Sequence, residues 1–312
     1  MQDLKENIVL YDWLSFTSKT HSVDDIITAL GLDGCSFEQT KGAHGYRDRK
    51  FFSSISIHYN GRPDMGIWCE MSGQGCRAFE SLSAVGWDNL FKWITDNYLK
   101  ITRLDVAFDD HIGLLDIDTI CNDCINGCYV CRSEFWEVVK SSKGSSIYHG
   151  SPQSLIRFRI YDKARERNCE AGIHWVRVEM QLRNERAIAF TKLFENPLIN
   201  IGDAFAGVLL NYLRYIEPEE SDTNKWRWSM TDYWFELVAN ISPIKIYTAP
   251  GMEYNIDNLD SFVFGQAGNA IATELELIGV DNFLQRLKER DTKPNPKYIQ
   301  LINQYKGSYK ND

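Results

Sequence analysis

Residues 101–109 read ITRLDVAFD, and from Arg103 onward apolar and polar side chains alternate. Successive side chains of an extended strand point to opposite sides, so this alternation predicts a strand with one buried face. The apolar face is formed by Leu104, Val106 and Phe108, and the polar face by Arg103, Asp105, Ala107 and Asp109. A sheet face that only meets solvent would more usually carry Thr, Ser, Lys and Glu.

Two later segments alternate in the same way. Residues 155–161 place Arg157, Arg159 and Tyr161 on one face, and residues 175–183 do the same for Arg177, Glu179, Gln181 and Arg183. If the three strands pair in one sheet, its open face carries three carboxylates, five arginines and one tyrosine. This set is typical of a site that handles phosphate with a divalent cation, although a structural lattice of ion pairs would use the same residue types.

The chemistry of such a site is coherent. Carboxylates bind a hard ion such as Mg²⁺ or Mn²⁺ and leave positions open for phosphate oxygens. Arginines hold neighbouring phosphates through paired hydrogen bonds that lysine cannot match. A tyrosine becomes a nucleophile when nearby cations lower its pKa, and its attack on a phosphodiester gives a covalent phosphotyrosine. Such a link conserves the phosphodiester energy, so the broken strand can be rejoined.

The pattern along the chain predicts an α+β fold. Strands at 8–17, 51–59, 65–71 and 101–109, with helices at 23–30 and 76–98, give the order β-α-β-β-α-β of a ferredoxin-like or RRM-like unit. A second such unit is expected from a helix at 116–125 and strands at 129–139, 147–150, 155–161 and 174–183. Both sheets should be mainly antiparallel. The units at about 1–112 and 113–216 form one predicted domain, and 217–312 is predicted to be a mainly helical C-terminal region.

Composition limits the class of protein. The chain has 312 residues, of which 44% are hydrophobic and 25% charged, as in a globular protein. It contains neither an apolar run near the roughly 18 residues of a membrane span nor the start of a secretory signal, so we expect a cytoplasmic protein without a membrane partner. The net charge is −9, yet residues 157–192 hold nine basic and five acidic residues. Phosphate binding is therefore expected at one local site.

Four of the eight cysteines are closely spaced, at Cys121, Cys124, Cys128 and Cys131. Two CxxC pairs can bind zinc, but closed zinc sites usually separate their pairs by a dozen or more residues, and here three intervene. Buried reduced thiols are the alternative interpretation, and the spacing alone leaves both open.

Five short motifs together resemble the replication initiation factor family, the rolling-circle Rep proteins of Gram-positive plasmids and related relaxases of conjugative elements. They are MSGQGCR at 71–77, ITRLD at 101–105 with Asp109, YHGS at 148–151, RIYDKARE at 159–166 and RVEMQLR at 177–183. They occur in the family's order and cover about residues 11–239. Pro152 stands where a basic residue is expected, which weakens any phosphate-binding role for that loop, and the cysteine cluster is not a family feature.

The resemblance implies a site-specific single-strand nick at a double-strand DNA origin, with Tyr161 linked to the 5′ phosphate and Lys163 beside it. It implies a divalent metal ion held by Asp105 and Glu179, with Asp109 a less certain ligand. Phosphate binding falls to the arginines of the open face, Arg103, Arg157, Arg159, Arg177 and Arg183. A homodimer, a host superfamily 1 helicase and a C-terminal segment that selects the origin are also implied.

Several alternatives stay open at this point. A conjugative relaxase would use the same chemistry at a transfer origin. A non-catalytic DNA-binding regulator or a hydrolase that uses water would each explain part of the pattern. His149 is a possible metal ligand or proton shuttle, although a histidine beside glycine is more often a loop residue. Gly73 and Gly75 are expected to allow a tight turn before the helix that follows.

Overall fold

One large antiparallel sheet organises the chain. The computed structural model describes residues 7–142, 144–219, 221–239, 263–264 and 268–289. Ten strands of this part form the sheet, in the order β2-β3-β4-β5-β1-β6-β11-β10-β9-β8, and β7 pairs with β12 in a separate small sheet. The strands are β1 Ile8–Ser18, β2 Glu38–Lys41, β3 Asp48–Phe52, β4 Ile55–Tyr59, β5 Ile67–Ser72, β6 Lys100–Asp110, β7 Tyr129–Cys131, β8 Trp136–Ser141, β9 Gly144–His149, β10 Ile156–Asp162, β11 Val176–Arg183 and β12 Leu213–Tyr215.

Seven helices of the described part of the chain contribute buried residues to the core on the apolar side of this sheet. They are α1 Val23–Ala29, α2 Gly73–Leu82, α3 Gly86–Asp96, α4 Ile117–Ile125, α6 Glu185–Thr191, α7 Ile201–Tyr212 and α8 Asp232–Val238. The short α5, Lys163–Glu166, follows β10 and places Lys163 and Glu166 at the open face. Leu104 and Val106 of β6 and Met180 of β11 are fully buried in one core cluster with helical residues such as Phe79 and Phe205. Burying each such side chain contributes about 1.5–3 kcal/mol, so the apolar half of the alternation fixes which face is covered.

The register brings the three predicted polar faces together. β6 pairs with β11, with Asp109 opposite Arg177 and Asp105 opposite Gln181. β11 pairs in turn with β10, with Arg177 opposite Tyr161. Since opposite residues share a face, the expected open face exists and crosses the boundary between the two predicted units. The antiparallel α+β architecture is confirmed, whereas the description of each half as a ferredoxin-like unit stays a prediction.

Three predicted elements are divided in the structure. The strand expected at 51–59 is a hairpin, because Ser53 and Ser54 adopt φ of 43° and 66° and reverse the chain between β3 and β4. The helix expected at 76–98 is two helices, α2 and α3. The strand expected at 129–139 is likewise two, and its first part, β7, belongs to the small sheet.

Close approach of the backbone explains the two glycines of MSGQGCR. α2 begins at Gly73 itself, three residues before the predicted start. A Cβ on Gly73 would lie 2.5 Å from Oδ1 of Asp12, and one on Gly75 would lie 2.4 Å from the carbonyl oxygen of Ser54. The backbone of Ser54 therefore leaves no room for a side chain at Gly75, whereas a Cβ at Gly73 would displace the Asp12 side chain. Neither glycine has a positive φ, so space rather than a tight turn before the helix explains them, which corrects the expectation.

The described residues 263–264 and 268–289 belong to a second compact unit of the chain, Thr248–Asp312. Within it, α9 spans Gly268–Glu289 and is interrupted at Gly279, whose φ of 76° is not helical. The sequence pattern predicts helices at 262–279 and 281–290, and the break at Gly279 lies at the end of the first. The pattern also predicts a strand at 244–247 and a helix at 297–305, which lie outside the described residues. A mainly helical region over 217–312 as a whole stays a prediction. None of the helices in the described ranges has the length and apolar character of a membrane span.

Candidate active site on the open face of the sheet

Tyr161 lies at the polar end of β10 and is held by two charged neighbours. Its hydroxyl donates a hydrogen bond to Oε2 of Glu179 at 3.3 Å and accepts one from Nζ of Lys163 at 3.1 Å. The guanidinium of Arg159 lies over the phenol ring, 3.8 Å from its centroid. The sequence predicted each of these four residues for the site, and the structure brings them together.

An open cavity of about 300 Å³ lies against this tyrosine. Asp105 and Glu179 line it together with Asp12 and Glu166, so four carboxylates border one small space. Burial raises the pKa of Asp105 to about 7, with the charges of Glu179 and Asp12 adding to the effect and the hydrogen bonds from Arg103 opposing it. Burial also raises the pKa of Glu179, again with a contribution from Asp12. The negative charges of Asp105 and Glu179 are therefore only partly offset by their surroundings.

Asp109 lies in a different environment on the same strand. Its two carboxylate oxygens accept hydrogen bonds from Nε and Nη2 of Arg177, at 2.6 and 2.7 Å. A third charge completes the group, because Nη1 of Arg177 lies 2.6 Å from Oδ2 of Asp12. Asp109 is not among the residues that line the cavity. Its role as a metal ligand stays a prediction, and in this structure its carboxylate is used by Arg177.

The remaining arginines line the open face around the cavity. Arg103 contacts Asp105 through Nε at 2.9 Å and lies over the Trp13 ring, 4.4 Å from its centroid. Arg157 lies over the ring of Tyr148, 4.3 Å from its centroid, and Nη2 of Arg183 donates to Gln181 at 2.9 Å. All five predicted arginines are thus on one face, and Arg103 and Arg159 border the cavity itself.

His149 does not join the site. It pairs with Phe158, a core residue, and is 1% exposed, so it lies on the helix-covered face of the sheet, opposite Tyr161. Its Nε2 is 2.9 Å from the hydroxyl of Tyr215, and burial lowers its pKa to about 3. The suggestion that His149 is a ligand or shuttle of this site is corrected: alternation along β9 turns it away.

The donor set of the cavity is suited to a hard divalent ion. Asp12, Asp105 and Glu179 supply only oxygen ligands, and burial together with neighbouring carboxylates raises the pKa of Asp105 and Glu179, an effect that a bound cation would oppose. These side chains fit Mg²⁺ or Mn²⁺ in kind. They are not a preformed cluster, since no three or more His, Cys, Asp or Glu side chains of the described residues are gathered as a metal site. The same holds for the cysteines, where Cys121 and Cys124 are buried in the core.

Two site residues were missed from the sequence alone. Asp12 sits at a bulge of β1, where the pairing with β6 shifts between Tyr11 and Trp13. Its signal was an aspartate inside an otherwise apolar strand. Glu166 ends α5 and contacts Lys163 and Arg159. It belongs to the quoted RIYDKARE motif, but nothing in the spacing distinguished it from a solvated helix residue.

Known proteins are similar to this chain in sequence and in fold. The chain matches "Replication initiation factor" over residues 99–287 and "Rolling Circle replication initiation protein N-terminal domain" over residues 8–94. The first match covers more than half of the sequence, and the chain belongs to the replication initiation factor family.

One curated protein and one solved structure show what this chain is similar to within that family. The Bacillus subtilis (strain 168) protein named "Putative DNA relaxase NicK" is 27% identical over 267 residues, which cover 79% of this chain and 75% of that protein. The structure of a rolling circle replication initiator protein from Geobacillus stearothermophilus superposes with a TM-score of 0.70 at 29% identity, covering 78% of this chain and 99% of that one. The chain is thus a member of a family of initiators and relaxases that nick DNA.

Proposed function

We propose that this protein makes a site-specific single-strand nick in DNA through Tyr161 and later rejoins the strand. The observation that carries the proposal is the pair of hydrogen bonds at the Tyr161 hydroxyl, from Lys163 and to Glu179, at the edge of an open cavity bordered by carboxylates and arginines. A tyrosine with only a packing role would not need a lysine and a glutamate at its oxygen.

The proposed step is a transesterification. The Tyr161 oxygen attacks the scissile phosphorus, the bond from phosphorus to the 3′ oxygen breaks, and the phenol proton passes to Glu179, the acceptor of its hydrogen bond. The 3′ oxygen takes up a proton from water in the open cavity and leaves as a hydroxyl, and the 5′ phosphate stays on the tyrosine. Attack of a 3′ hydroxyl on the phosphotyrosine reverses the reaction, because the number of phosphoester bonds is unchanged.

The resting site keeps this nucleophile protonated. Burial raises the pKa of Tyr161 above its usual range, and the charge of Glu179 raises it further, while Arg177 and Arg159 act in the opposite direction. A divalent ion bound by Asp105 and Glu179 would neutralise the carboxylates and stabilise charge on the phosphate. Lys163 and Arg159 stabilise the negative charge of the phenolate, since both cations lie against Tyr161.

We infer that the substrate is an origin DNA exposed as a single strand at the nick. The names of the relatives support this, and they also leave a conjugative relaxase as the second candidate, because one relative is named a relaxase and the other an initiator. A homodimer and a host superfamily 1 helicase remain part of the proposal. The C-terminal segment beyond residue 291, with its lysines and tyrosines, is proposed to select the origin.

We also infer a ferredoxin-like first half. In chain order the β-α-β-β-α-β elements are β1, α1, β4, β5, α2 with α3, and β6. β1 lies between β5 and β6 in the sheet, with β4 outside β5, which agrees with such a unit.

The decisive experiment replaces the nucleophile and a matched tyrosine. Supercoiled DNA that carries the element's own origin is incubated with the protein and Mn²⁺, and the products are separated on a denaturing gel. The Tyr161→Phe variant is expected to abolish nicking while binding origin duplex within about a few-fold of the wild type, since only the attacking oxygen is lost. The Tyr148→Phe variant changes a tyrosine on the same face and should still nick.

The state of the 5′ end separates the alternatives. A protein-linked 5′ end is expected here, a free 5′ phosphate would indicate a hydrolase that uses water, and intact DNA would indicate a non-catalytic regulator. Nicking by Tyr161→Phe at the wild-type rate would remove this tyrosine from the mechanism. Comparison of a replication origin with a transfer origin as substrate then separates initiator from relaxase.

A further inference from the structure

The carboxylate of Glu166 contacts both cations that touch Tyr161. Its Oε2 accepts a hydrogen bond from Nζ of Lys163, and its Oε1 lies 3.6 Å from Nη1 of Arg159. Lys163 is at the same time a donor to the Tyr161 hydroxyl, and Arg159 covers the Tyr161 ring. An anionic group therefore already bridges the two positive charges nearest the nucleophile.

This bridge is incomplete on the arginine side. At 3.6 Å the contact of Arg159 with Glu166 is longer than a good hydrogen bond. Nε of Arg159 is buried and has no hydrogen-bond partner among the described residues. A buried, unused donor on a guanidinium is costly, and an incoming anion with more than one oxygen would satisfy it.

The geometry of attack places such an anion here. Phosphorus must approach the Tyr161 oxygen directly, so the non-bridging oxygens of the scissile phosphate come within reach of groups that surround this oxygen. Lys163 is one of these groups, with its Nζ 3.1 Å away. The scissile phosphate and the Glu166 carboxylate therefore compete for hydrogen bonds from Nζ of Lys163.

We propose that Glu166 is a positioning residue that occupies the place of the scissile phosphate in the free protein and yields Lys163 and Arg159 to it when DNA binds. This inference rests on the proposed function, since it takes Tyr161 as the nucleophile. Glu166 keeps the two cations aimed at the cavity in the absence of substrate. Glu166 also weakens the binding of DNA, because the scissile phosphate has to displace its carboxylate.

The test measures DNA binding without cleavage. The probe is a fluorescent single-stranded oligothymidylate in EDTA, which offers phosphates without an origin sequence. The Glu166→Gln variant keeps the shape of the side chain and removes its charge. We expect its dissociation constant to fall about five- to tenfold, and the plot of log affinity against log salt to steepen by about 0.7, the value for one more phosphate contact on a single strand.

A matched variant controls for a general effect of charge. Glu170→Gln removes the same charge from the exposed chain just after α5, where no ion pair is made by the described residues. It should leave the dissociation constant within about twofold and the slope unchanged. Equal gains in both variants, or unchanged or weaker binding by Glu166→Gln, would overturn the proposal. Far-ultraviolet circular dichroism and the unfolding midpoint of each variant establish that the compared proteins are folded.

A double substitution isolates the lysine. In a Lys163→Gln background, the further change Glu166→Gln should give at most about a twofold gain, because Lys163 is absent and only the longer contact with Arg159 is left to be released. A full gain in that background would show that Glu166 does not act through Lys163, and the proposal would be wrong. Because binding is measured without cleavage, this result stands apart from the Tyr161→Phe experiment: either can fail while the other succeeds.

Discussion

Two arginine–aspartate pairs lie on the open face, with their aspartates four residues apart along β6. Both aspartates are buried and accept hydrogen bonds on both oxygens, but the pairs differ in the exposure of the arginine and in what surrounds them. Arg177 and Asp109 are both buried, at 4% and 2% side-chain exposure, and join through two parallel hydrogen bonds across neighbouring strands. Arg103 and Asp105 belong to the same strand, and the Arg103 side chain is 29% exposed. Neither member of the first pair lines the cavity, and Arg177 also contacts Asp12, so we call it the closed pair. Arg103 and Asp105 both line the cavity and form the open pair.

The difference shows how one strand supports both structure and chemistry. Both carboxylate oxygens of Asp109 accept hydrogen bonds from the buried guanidinium of Arg177, which also contacts Asp12, so the Asp109 charge is matched inside the fold. Asp105 shares its surroundings with two other carboxylates, and burial raises its pKa to about 7. A carboxylate held in an undercompensated state is available to a cation or a proton, which is a recurrent property of catalytic groups. Removing the Asp105 charge should therefore mainly reduce nicking, whereas removing the Asp109 charge should mainly reduce stability.

The largest expected effect is the loss of nicking in Asp105→Asn. The substitution keeps the size of the side chain and removes the charge that the proposed metal site needs, so the initial rate with Mn²⁺ should fall about 100-fold or more. The rate is measured on supercoiled origin DNA, and Mn²⁺ affinity by isothermal titration calorimetry. The affinity should fall together with the rate.

Asp109→Asn is the matched change on the same strand and should retain more activity than Asp105→Asn when compared as folded protein. If Asp109→Asn loses nicking and Mn²⁺ binding while Asp105→Asn keeps both, the roles assigned to the two aspartates are reversed.

The second effect concerns stability and belongs to the other pair. Asp109→Asn leaves a buried guanidinium with Asp12 as its remaining carboxylate, and the free energy of unfolding should fall by about 3 kcal/mol. Urea denaturation at pH 7 measures this. The same measurement on Asp105→Asn should show no loss, because that substitution removes a desolvated charge. A larger loss for Asp105→Asn than for Asp109→Asn would contradict the distinction between a closed and an open pair.

Alternation at period two predicted the composition of this face from sequence. Tyr161, Asp105, Glu179 and the five arginines are where the pattern placed them, because burial of apolar side chains on one face forces their neighbours onto the other. The pattern also assigned Asp109 to the face correctly. It could not tell which of the two aspartates lines the cavity, since that depends on the registers of β6, β11 and β1.

Other features depend on local backbone geometry that residue types did not reveal. The bulge of β1 that brings Asp12 to Arg177 adds a residue without any glycine or proline to mark it. Ser53 and Ser54 form a hairpin turn at positive φ, where glycine or asparagine would have given a signal. His149 is the last residue of β9 and lies opposite Phe158 of β10, a core residue. This pairing, which the sequence pattern did not show, places His149 on the covered face of the sheet.

The smallest expected effect is a pH dependence that separates the two pairs without changing either arginine. An acid whose pKa is raised by folding binds its proton more tightly in the folded state, so stability falls as pH rises from the unfolded pKa, near 4, through the folded one. For Asp105, with a folded pKa of about 7, the free energy of unfolding should fall by about 2 kcal/mol between pH 5.5 and 8. Glu179, whose pKa is also raised, acts in the same direction. Urea denaturation across this range should give a flatter profile for Asp105→Asn by about that amount, whereas Asp109→Asn should keep the wild-type slope at lower stability. A wild-type profile that rises with pH over this range, or one that Asp105→Asn leaves unchanged, would show that Asp105 is as well compensated as Asp109, and the contrast between the two pairs would disappear.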